Sequence, residues 1–296
     1  MNKPILYIMI GLSGSGKSSI AKEIAKTSEN TIIVSSDAIR EELTGKVEDQ
    51  TKNEEVFKIF HKRIQKGLEN KKNVIADATN ITMKSRRVII ENVQKLDIYK
   101  IAYVIPKSFE QCKKDNLYRE HPVPEEVLEK QIRRFQIPFM EEGFDEYVLH
   151  KFHKNGRLNA IDMVDQMEGY DQQNPHHNMT LDLHSKNTYE LFCRKGYPSK
   201  YNIAALLHDY GKLFCKTIDE NGIAHFYGHD SIGSYLFLEN MAELYWKDVM
   251  DMCFLINYHM TPFGWKTATV KERWKKRFGE YNYQLLINFN ECDRAR

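Results

Sequence analysis

Pro4-Ile-Leu-Tyr-Ile-Met-Ile10 leads directly into Gly11-Leu-Ser-Gly-Ser-Gly-Lys17-Ser18, and this stretch decides the fold of the first half of the chain. The apolar run is rich in β-formers, and residues 18–26 carry apolar side chains at helical spacing. Residues 11–18 fit the pattern G-x-x-x-x-G-K-[ST] between a predicted strand and a predicted helix. That context separates a phosphate-binding loop from a chance match, so we predict a nucleotide site here.

The glycines of this loop let backbone N–H groups converge on phosphate oxygens, and the following helix N-terminus adds partial positive charge. We expect Lys17 to bridge the β- and γ-phosphates of ATP and the hydroxyl of Ser18 to hold Mg²⁺. The residues expected to bind the cofactor are Gly11, Gly14, Ser15, Gly16, Lys17, Ser18 and Ser19.

Strand and helix patterns alternate through the first half of the chain, which predicts an α/β domain with a mainly parallel sheet. The predicted strands are 4–10, 31–35, 73–76 and 98–105, and the predicted helices are 18–26, 53–68, 85–93 and 125–136. Beyond a polar stretch the pattern is helical, over 181–192, 202–207, 232–245, 247–258 and 283–293. We therefore expect an α/β domain over 1–155, a linker over 156–172 and an all-α domain over 173–296.

Composition limits the class of protein. The chain has 296 residues, 42% apolar and 28% charged, which is typical of globular proteins and long enough for two domains. Its longest apolar stretch, residues 5–12, is under half the length needed to cross a bilayer, so no membrane segment is expected. Five cysteines form no C-x-x-C pair, and a reduced cytoplasmic setting is expected.

Charge and histidine content differ between the two parts. The net charge of +2 divides into +4 over residues 1–155 and −2 over 156–296. Seven of the eleven histidines lie in the second part. This skew indicates a metal site there, with chance clustering as the alternative.

Polar residues follow the second and third predicted strands, at the sheet edge where α/β proteins bind ligands. Asp37 is placed to take a proton from an acceptor hydroxyl, and Arg40 to grip a phosphate on that acceptor. The alternative is a helix N-cap at Asp37 with a solvated Arg40. Asp77, with Asn80 and Arg86 after it, is expected either to bind Mg²⁺ through water or to cap a helix.

The phosphate loop, D-x-x-R at 37–40 and D-A-T-N at 77–80 resemble the 5′-hydroxyl polynucleotide kinase family and related P-loop kinases over about residues 3–150. The resemblance implies that Asp37 is the general base, that Arg40 binds the 3′-phosphate of the acceptor, and that Arg119 is a lid arginine stabilising the γ-phosphoryl group. Asp77, Asn80 and Arg86 are also expected to contact substrate. Asp115 stands where family members carry a second lid arginine, and Arg133 or Arg134 is expected to compensate, with weaker transfer as the alternative.

His208-Asp209 is followed by Lys212, and four further histidines or carboxylates with suitable spacing surround this pair. Neutral imidazoles and carboxylates from separate helices suit a divalent transition metal, Mn, Co, Ni, Zn or Fe, with positions left open for water. Such a metal polarises a phosphoryl oxygen and lowers the pKa of water, while Lys212 is expected to hold the phosphate. The surrounding residues are His184, His229, His259 and Asp293.

The string from Leu181-Asp-Leu-His184 through Leu207-His-Asp209 to His225-Phe-Tyr-Gly-His229 resembles the HD phosphohydrolase superfamily. It is most similar to the HD domain of bacterial tRNA nucleotidyltransferases, over about residues 174–296. The resemblance implies a first metal shell of His184, His208, Asp209 and Asp293. It leaves His229 and His259 either as ligands of a second metal or as phosphate-contacting groups. Asp209 and Lys212 are expected to be catalytic.

Other residues are expected to be structural. His176, His177 and His225 are interpreted as supporting residues rather than metal ligands. The aromatic and basic stretch over 265–283 is interpreted as a core-facing aromatic edge with a solvated basic face, and base stacking is the alternative.

We expect a bifunctional enzyme of nucleic-acid end healing that phosphorylates 5′-hydroxyl ends and removes 2′,3′-cyclic or 3′-phosphates. Its partners would be RNA or DNA ends and a ligase acting downstream, and a homo-oligomer remains open. One alternative is a small-metabolite or nucleoside kinase fused to a nucleotidase. Another is a nucleotide-sensing or RNA-binding module without turnover.

Overall fold

The computed structural model describes residues 3–152, 158–175, 178–241 and 244–295, except for the side chain of residue 246. The chain divides into two compact units. The first comprises Met1–Gln131 and Glu142–Phe152, and the second comprises Ile132–Glu141 and His153–Arg296. No helix of the described ranges combines the length and the apolar character that a bilayer span requires.

Five strands form the sheet of the first unit, and every neighbouring pair is parallel. They are Ile5–Ile10 (β1), Thr31–Ser35 (β2), Asn73–Asp77 (β3), Tyr99–Val104 (β4) and Glu146–Leu149 (β5), in the spatial order β2-β3-β1-β4-β5. Most residues of the central strands β1 and β3 are buried, as expected for a sheet covered on both faces. The prediction of a mainly parallel α/β domain is confirmed.

Helices connect these strands. They are Lys17–Thr27 (α1), Ser36–Thr44 (α2), Asn53–Glu69 (α3), Met83–Val93 (α4), Phe109–Leu117 (α5) and Glu125–Ile132 (α6). Ser35 and Thr82 are the N-caps of α2 and α4, and each side chain accepts an N–H of the first turn. The capping alternatives proposed for Asp37 and Asp77 are therefore wrong, and both carboxylates are available for other contacts.

The strand order places the functional loops together. β1 lies between β3 and β4, and β3 lies between β1 and β2, so the carboxyl ends of the first three strands meet at one edge. Ser35 pairs with Asp77 in register, and Gly11 N–H donates to the carbonyl of Thr79 at 3.2 Å. The phosphate loop and the residues after β2 and β3 consequently face the same crevice, where open α/β sheets bind ligands.

The second unit is mainly helical. Its helices are Ala160–Asp165 (α7), Leu181–Cys193 (α8), Lys200–Leu207 (α9), His229–Met241 (α10), Trp246–Tyr258 (α11) and Ala268–Asp293 (α12). A short antiparallel hairpin of Thr217–Ile218 (β6) and Ala224–His225 (β7) corrects the expectation of an all-α domain. The hairpin turn is closed by Asp219, whose side chain accepts the N–H groups of residues 221 and 223, and by Gly222 at φ 76°.

Residues 132–141 pack with the helical unit rather than with the α/β unit to which the sequence assigned them. The ring of Phe139 contacts Phe254 and Phe278 edge-on at centroid distances of 5.4 and 5.2 Å. Asn257 accepts the N–H of Ile137 at 2.6 Å and donates to the carbonyl of Phe135. Residues 132–141 thus pack in the helical unit although the residues on both sides of them belong to the α/β unit. The periodicity of a segment does not show which core the segment joins.

The stretch expected as a linker over 156–172 contains helix α7. Its Asn159 side chain accepts the N–H groups of Ile161 and Asp162, and the Asp162 side chain accepts the N–H of Asn159, forming a capping box. Met163 is fully buried. A six-residue helix has too few turns for an apolar period, which is why the polar composition dominated the prediction.

Candidate active sites

The phosphate loop at the end of β1 adopts the backbone conformation of a phosphate-binding turn. Gly14 and Gly16 adopt φ 78° and 90°, and a Cβ on Gly14 would collide with the carbonyl of Cys112. Lys17 is buried and donates to the carbonyl of Leu12 at 2.7 Å, folding back over the loop. Burial lowers the pKa of Lys17, and the nearby carboxylate of Asp77 opposes that shift. The loop therefore positions an amine and backbone donors for phosphate oxygens.

Ser18 and Asp77 form the pair that fits Mg²⁺. The Ser18 hydroxyl donates to the Asp77 carboxylate at 2.8 Å, and Asp77 is almost fully buried. Burial raises the pKa of Asp77, while the Ser18 hydrogen bond and the charge of Lys17 lower it. Oxygen donors from a hydroxyl and a carboxylate are the ligands that Mg²⁺ prefers beside a nucleotide.

Asp37 lies in the first turn of α2, and an arginine approaches each of its two carboxylate oxygens. One oxygen accepts Arg40 Nη1 at 2.7 Å, and the other lies 3.8 Å from Arg119 Nη2. Half of the Asp37 side chain is exposed, whereas the Arg40 guanidinium is buried and also donates to Asn53 at 3.2 Å. Asp37 is accordingly accessible to a hydroxyl, and Arg119 is brought to the same place.

Two residues expected to contact substrate belong to the framework instead. The buried amide of Asn80 donates to the carbonyls of Met9, Ala76 and Ala78 and so ties β1 to the turn after β3. Arg86 is fully buried and donates to both carboxylate oxygens of Glu142 at 2.8 and 2.6 Å. Their proximity to the D-A-T-N motif had suggested substrate contact, but burial closes both side chains to ligand.

The lid region contains one contact that the sequence did not suggest. Gln131 on α6 accepts the N–H of Ser13 at 2.8 Å and donates to its hydroxyl at 3.0 Å, which fixes the phosphate loop from outside. Asp115 pairs with Lys107 and accepts from Gln111. Arg133 belongs to the helical unit and donates to the carbonyl of Tyr227 at 3.0 Å, and compensation by Arg133 or Arg134 stays a prediction.

The helical unit brings the predicted histidine and aspartate residues to one point, mostly at helix ends. His184 lies on α8, His208 and Asp209 follow α9, and Lys212 lies in the 3₁₀ turn Tyr210–Phe214. His229 begins α10, His259 follows α11, and Asp293 ends α12. Side chains from separate helix ends therefore converge, as in metal sites built inside helical bundles.

Asp209 is the centre of this cluster. Its carboxylate lies 2.7 Å from Lys212 Nζ, 3.1 Å from His229 Nε2 and 3.3 Å from His208 Nε2. Burial alone would raise the pKa of Asp209, but the charges of Lys212 and His208 outweigh it and hold the pKa well below its usual range. Asp209 is thus a fully ionised carboxylate in a buried position.

Asp293 completes the cluster from the end of α12. Its oxygen lies 3.0 Å from His184 Nε2 and 3.3 Å from His208 Nε2. Burial opposes ionisation here too, and the hydrogen bond from His184 together with the positive charge of His208 brings the pKa of Asp293 below its ordinary value. Burial lowers the pKa of His208, but the carboxylates of Asp209 and Asp293 raise it to about 10. The two carboxylates therefore favour a positive charge on this imidazole.

The histidine rings are oriented by the backbone. Nδ1 of His208, His229 and His259 lies 2.7–2.8 Å from the carbonyl of the residue three positions earlier. A carbonyl can only accept, so each Nδ1 carries the hydrogen and Nε2 points into the cluster, as for metal-binding imidazoles. The Nε2 atoms of His229 and His259 face each other at 3.2 Å.

These residues fit a divalent cation. Two triads, His184–His208–Asp293 and His208–Asp209–His259, each hold their ligand atoms within 4.8 Å of one another. His208 Nε2 is buried and makes no hydrogen bond within the described residues. A cation there would replace the proton that the carboxylates draw to His208, and nitrogen with oxygen donors suits transition metals.

A cavity of about 670 Å³ in the helical unit opens onto this cluster. His184, Asp209, Lys212 and His229 line one part of it, and the rest is lined by polar and aromatic groups, Gln172, Asn174, Asn178, His225, Phe226, Tyr227, Phe263 and Arg294 among them. Buried Gln172 accepts from Lys212 Nζ at 2.9 Å, a contact that no sequence pattern indicated. The volume is adequate for a small ligand such as a nucleotide.

The remaining sequence interpretations have mixed outcomes. His225 does not join the cluster and pairs with Asp219 at 3.0 Å, and its supporting role stays a prediction. His176 and His177 lie outside the described residues. Trp265 is buried and stacks on Tyr283 at a centroid distance of 4.7 Å, so the core-facing interpretation of that aromatic stretch is confirmed.

The parallel sheet and the loop at the end of β1 define the first unit as a P-loop α/β domain. Residues 6–138, less than half of the chain, match the family model described as AAA domain. The family implies ATP and Mg²⁺ as cofactors, in agreement with the Lys17 and Ser18–Asp77 geometry.

Two curated relatives each match about half of the chain. L-seryl-tRNA(Sec) kinase of Methanococcus maripaludis is 27% identical over 145 residues, covering 48% of this chain and 56% of the relative. The bifunctional polynucleotide phosphatase/kinase of Schizosaccharomyces pombe is 26% identical over 147 residues, covering 47% of this chain and 31% of the relative. A chain of the solved Pnkp1/Rnl/Hen1 RNA repair complex is 19% identical, with a TM-score of 0.42, covering 85% of this chain and 93% of that one.

Proposed function

We propose that this chain is a bifunctional enzyme that heals nucleic-acid ends. Its first unit would transfer the γ-phosphate of ATP to a 5′-hydroxyl end. Within its second unit, an HD phosphohydrolase domain over about residues 173–296 would remove 2′,3′-cyclic or 3′-phosphates. The products, 5′-phosphate and 3′-hydroxyl ends, are what a nucleic-acid ligase joins, so a ligase is the expected downstream partner.

The observation that carries the kinase half is the position of Asp37 at the same sheet edge as the phosphate loop. Its half-exposed carboxylate accepts the proton of the attacking hydroxyl, while Arg40 holds it in place at 2.7 Å. Arg119 reaches the same carboxylate and is suited to neutralise charge on the transferred phosphoryl group. Both curated relatives are named as kinases, and one as a polynucleotide kinase, which supports this acceptor class.

Incubation with labelled ATP and a 5′-hydroxyl oligonucleotide tests the kinase half. Asp37→Ala is expected to lower the rate of transfer by about 10²–10⁴-fold, because the general base is lost. Glu41→Ala, which removes an exposed carboxylate from the same helix, is the control and should retain activity. No transfer by the wild type, or full transfer by Asp37→Ala, would reject the assignment.

Competition separates nucleic acid from small acceptors. An excess of mononucleosides should leave phosphorylation of the oligonucleotide unchanged. Preferential labelling of the nucleosides would instead favour a small-metabolite kinase, and binding of ATP without any turnover would favour a sensing module.

The phosphohydrolase half rests on the convergence of His184, His208, Asp209 and Asp293 on one point. When bound there, a divalent cation polarises a phosphoryl oxygen and lowers the pKa of water. Lys212, beside Asp209, is positioned to hold a phosphate oxygen. His229 and His259 direct Nε2 atoms into the same site and either contact phosphate or hold a second cation.

Metal content and phosphate release test this half together. The purified wild type should contain a stoichiometric divalent transition metal and release phosphate from a 3′-phosphate or 2′,3′-cyclic phosphate oligonucleotide. Asp209→Ala should lose both properties, whereas Glu291→Ala, an exposed carboxylate two residues from Asp293, should lose neither. Activity that persists in Asp209→Ala, or in metal-stripped protein, would reject the site.

A further inference from the structure

One wall of the cavity takes no part in the phosphate chemistry. It contains the aromatic side chains of His225, Phe226, Tyr227 and Phe263. Tyr227 is 71% exposed although it is a large aromatic residue, and it faces a cavity rather than a core. An exposed aromatic ring beside a buried polar cluster is typical of a ligand-binding surface.

The Tyr227 ring is held in place. It stacks on the His225 ring with an interplanar angle of 5° and a centroid distance of 5.5 Å. His225 is fixed in turn by Asp219 at 3.0 Å, and the Tyr227 carbonyl accepts Arg133 Nη1 at 3.0 Å. The two rings therefore form a parallel stack, here called the stacking platform, which contacts within the protein hold in place.

The stacking platform lies next to the phosphate-facing residues. Phe226, between its two members, is approached by Lys212 Nζ at 5.5 Å from the ring centroid. Tyr227 is two residues before His229, so the Cα atoms of these two residues lie at most about 7 Å apart. Tyr227 and Lys212 line the same cavity of about 670 Å³, which has room for a nucleotide that contacts both. Arg294 lines the same cavity and adds positive charge.

Resting on the proposed phosphohydrolase function, we propose that the Tyr227–His225 platform binds the nucleobase of the terminal nucleotide whose phosphate is removed. The base would stack on the Tyr227 ring while its phosphate reaches Lys212 and the histidine–aspartate cluster. Stacking tolerates any base because every base presents a π-face. The site would therefore select unpaired nucleotide ends over other phosphate esters without reading sequence.

Matched substrates test this inference. One oligonucleotide ends in an ordinary nucleotide with a 3′-phosphate, and the other ends in the same sugar 3′-phosphate without its base. The wild type should prefer the first substrate by about 5- to 150-fold in kcat/KM, mainly through KM. Tyr227→Ala should abolish this preference, and Tyr227→Phe should keep it.

Ile218→Ala is the control, because Ile218 is an exposed residue of the same hairpin outside the cavity lining. It should retain the preference for the base. An equal loss on both substrates in Tyr227→Ala, or a preference that survives the change, would overturn the proposal.

Binding distinguishes failure of the platform from failure of the phosphohydrolase assignment. Calorimetry would compare adenosine 3′-monophosphate with the same sugar phosphate lacking the base. If the wild type releases phosphate from neither oligonucleotide, the assigned reaction fails, yet base-dependent binding that Tyr227→Ala removes would still support the platform. Equal affinities for the two ligands would reject the platform.

Discussion

At the scale of single residues, both sites depend on polar side chains that hold the reactive groups in place. Gln131 braces Ser13 of the phosphate loop through two hydrogen bonds, and Gln172 accepts from Lys212 beside Asp209. Neither glutamine contacts the reacting atoms directly. Each restricts a neighbour that does, which is how supporting side chains preserve a productive geometry.

Gln131→Ala is expected to weaken ATP binding by about three- to tenfold, because the loop loses hydrogen bonds that keep its N–H groups converged. The measurement is the affinity for ATP by calorimetry, together with KM for ATP in the kinase assay. Glu129→Ala changes an exposed residue of the same helix and should leave both values unchanged. An unchanged ATP affinity in Gln131→Ala would show that the brace is dispensable.

At the scale of secondary-structure elements, close approach of two backbones positions the histidine–aspartate cluster. Gly211, two residues after Asp209, lies against α10 where His229 begins. A Cβ at Gly211 would collide with the His229 carbonyl and come within 2.6 Å of Gly233 N. The turn that holds Asp209 and the helix that holds His229 can approach this closely because Gly211 and Gly233 have no side chains.

Gly211→Ala should therefore destabilise the helical unit by about 1–3 kcal/mol through overpacking and lower its metal content. Thermal unfolding and metal analysis provide the measurements. Gly264→Ala is the matched control, since a Cβ there meets no atom within 4 Å and its φ is not positive. Equal stability of the two variants would contradict the role of this contact.

Elements also show how far the sequence predicts the fold. Strand β2 matches its predicted bounds of 31–35, because a short apolar run between turn signals defines it well. The four-residue edge strand β5 and the hairpin β6–β7 are too short to show a period. Helix α12 begins at Ala268 rather than 283, since its first half is mostly charged and Gly279 interrupts it at φ 75°.

The candidate sites were predictable to a different degree. The sequence motifs predicted that His184, His208, Asp209 and Asp293, from the regions of three separate helices, share one site, and the structure places them in contact. Burial was not predictable from spacing. Asn80 lies in the same D-A-T-N motif as Asp77, and Arg86 follows it, but their structural role is evident only from partners distant in sequence, such as Glu142 for Arg86. Gln131 and Gln172 carried no signal because an isolated glutamine is ordinary on any surface.

At the scale of the whole molecule, two chemically distinct sites are carried by two units of different architecture. The near-neutral net charge of the chain conceals a basic first part and an acidic second part. The acidic part contains the carboxylates of the cluster, whose charge a bound cation would offset. Net charge alone permits a nucleic-acid substrate but does not indicate one.

The central claim is that one chain repairs both ends of the same strand. The most direct test is mass spectrometry of a single RNA that carries a 5′-hydroxyl and a 2′,3′-cyclic phosphate, incubated with ATP and a divalent metal. The account predicts that the wild type converts both ends, that Lys17→Ala converts only the 3′ end, and that Asp209→Ala converts only the 5′ end. A wild type that leaves either end unchanged, or a Lys17→Ala or Asp209→Ala variant that still converts both, would contradict it.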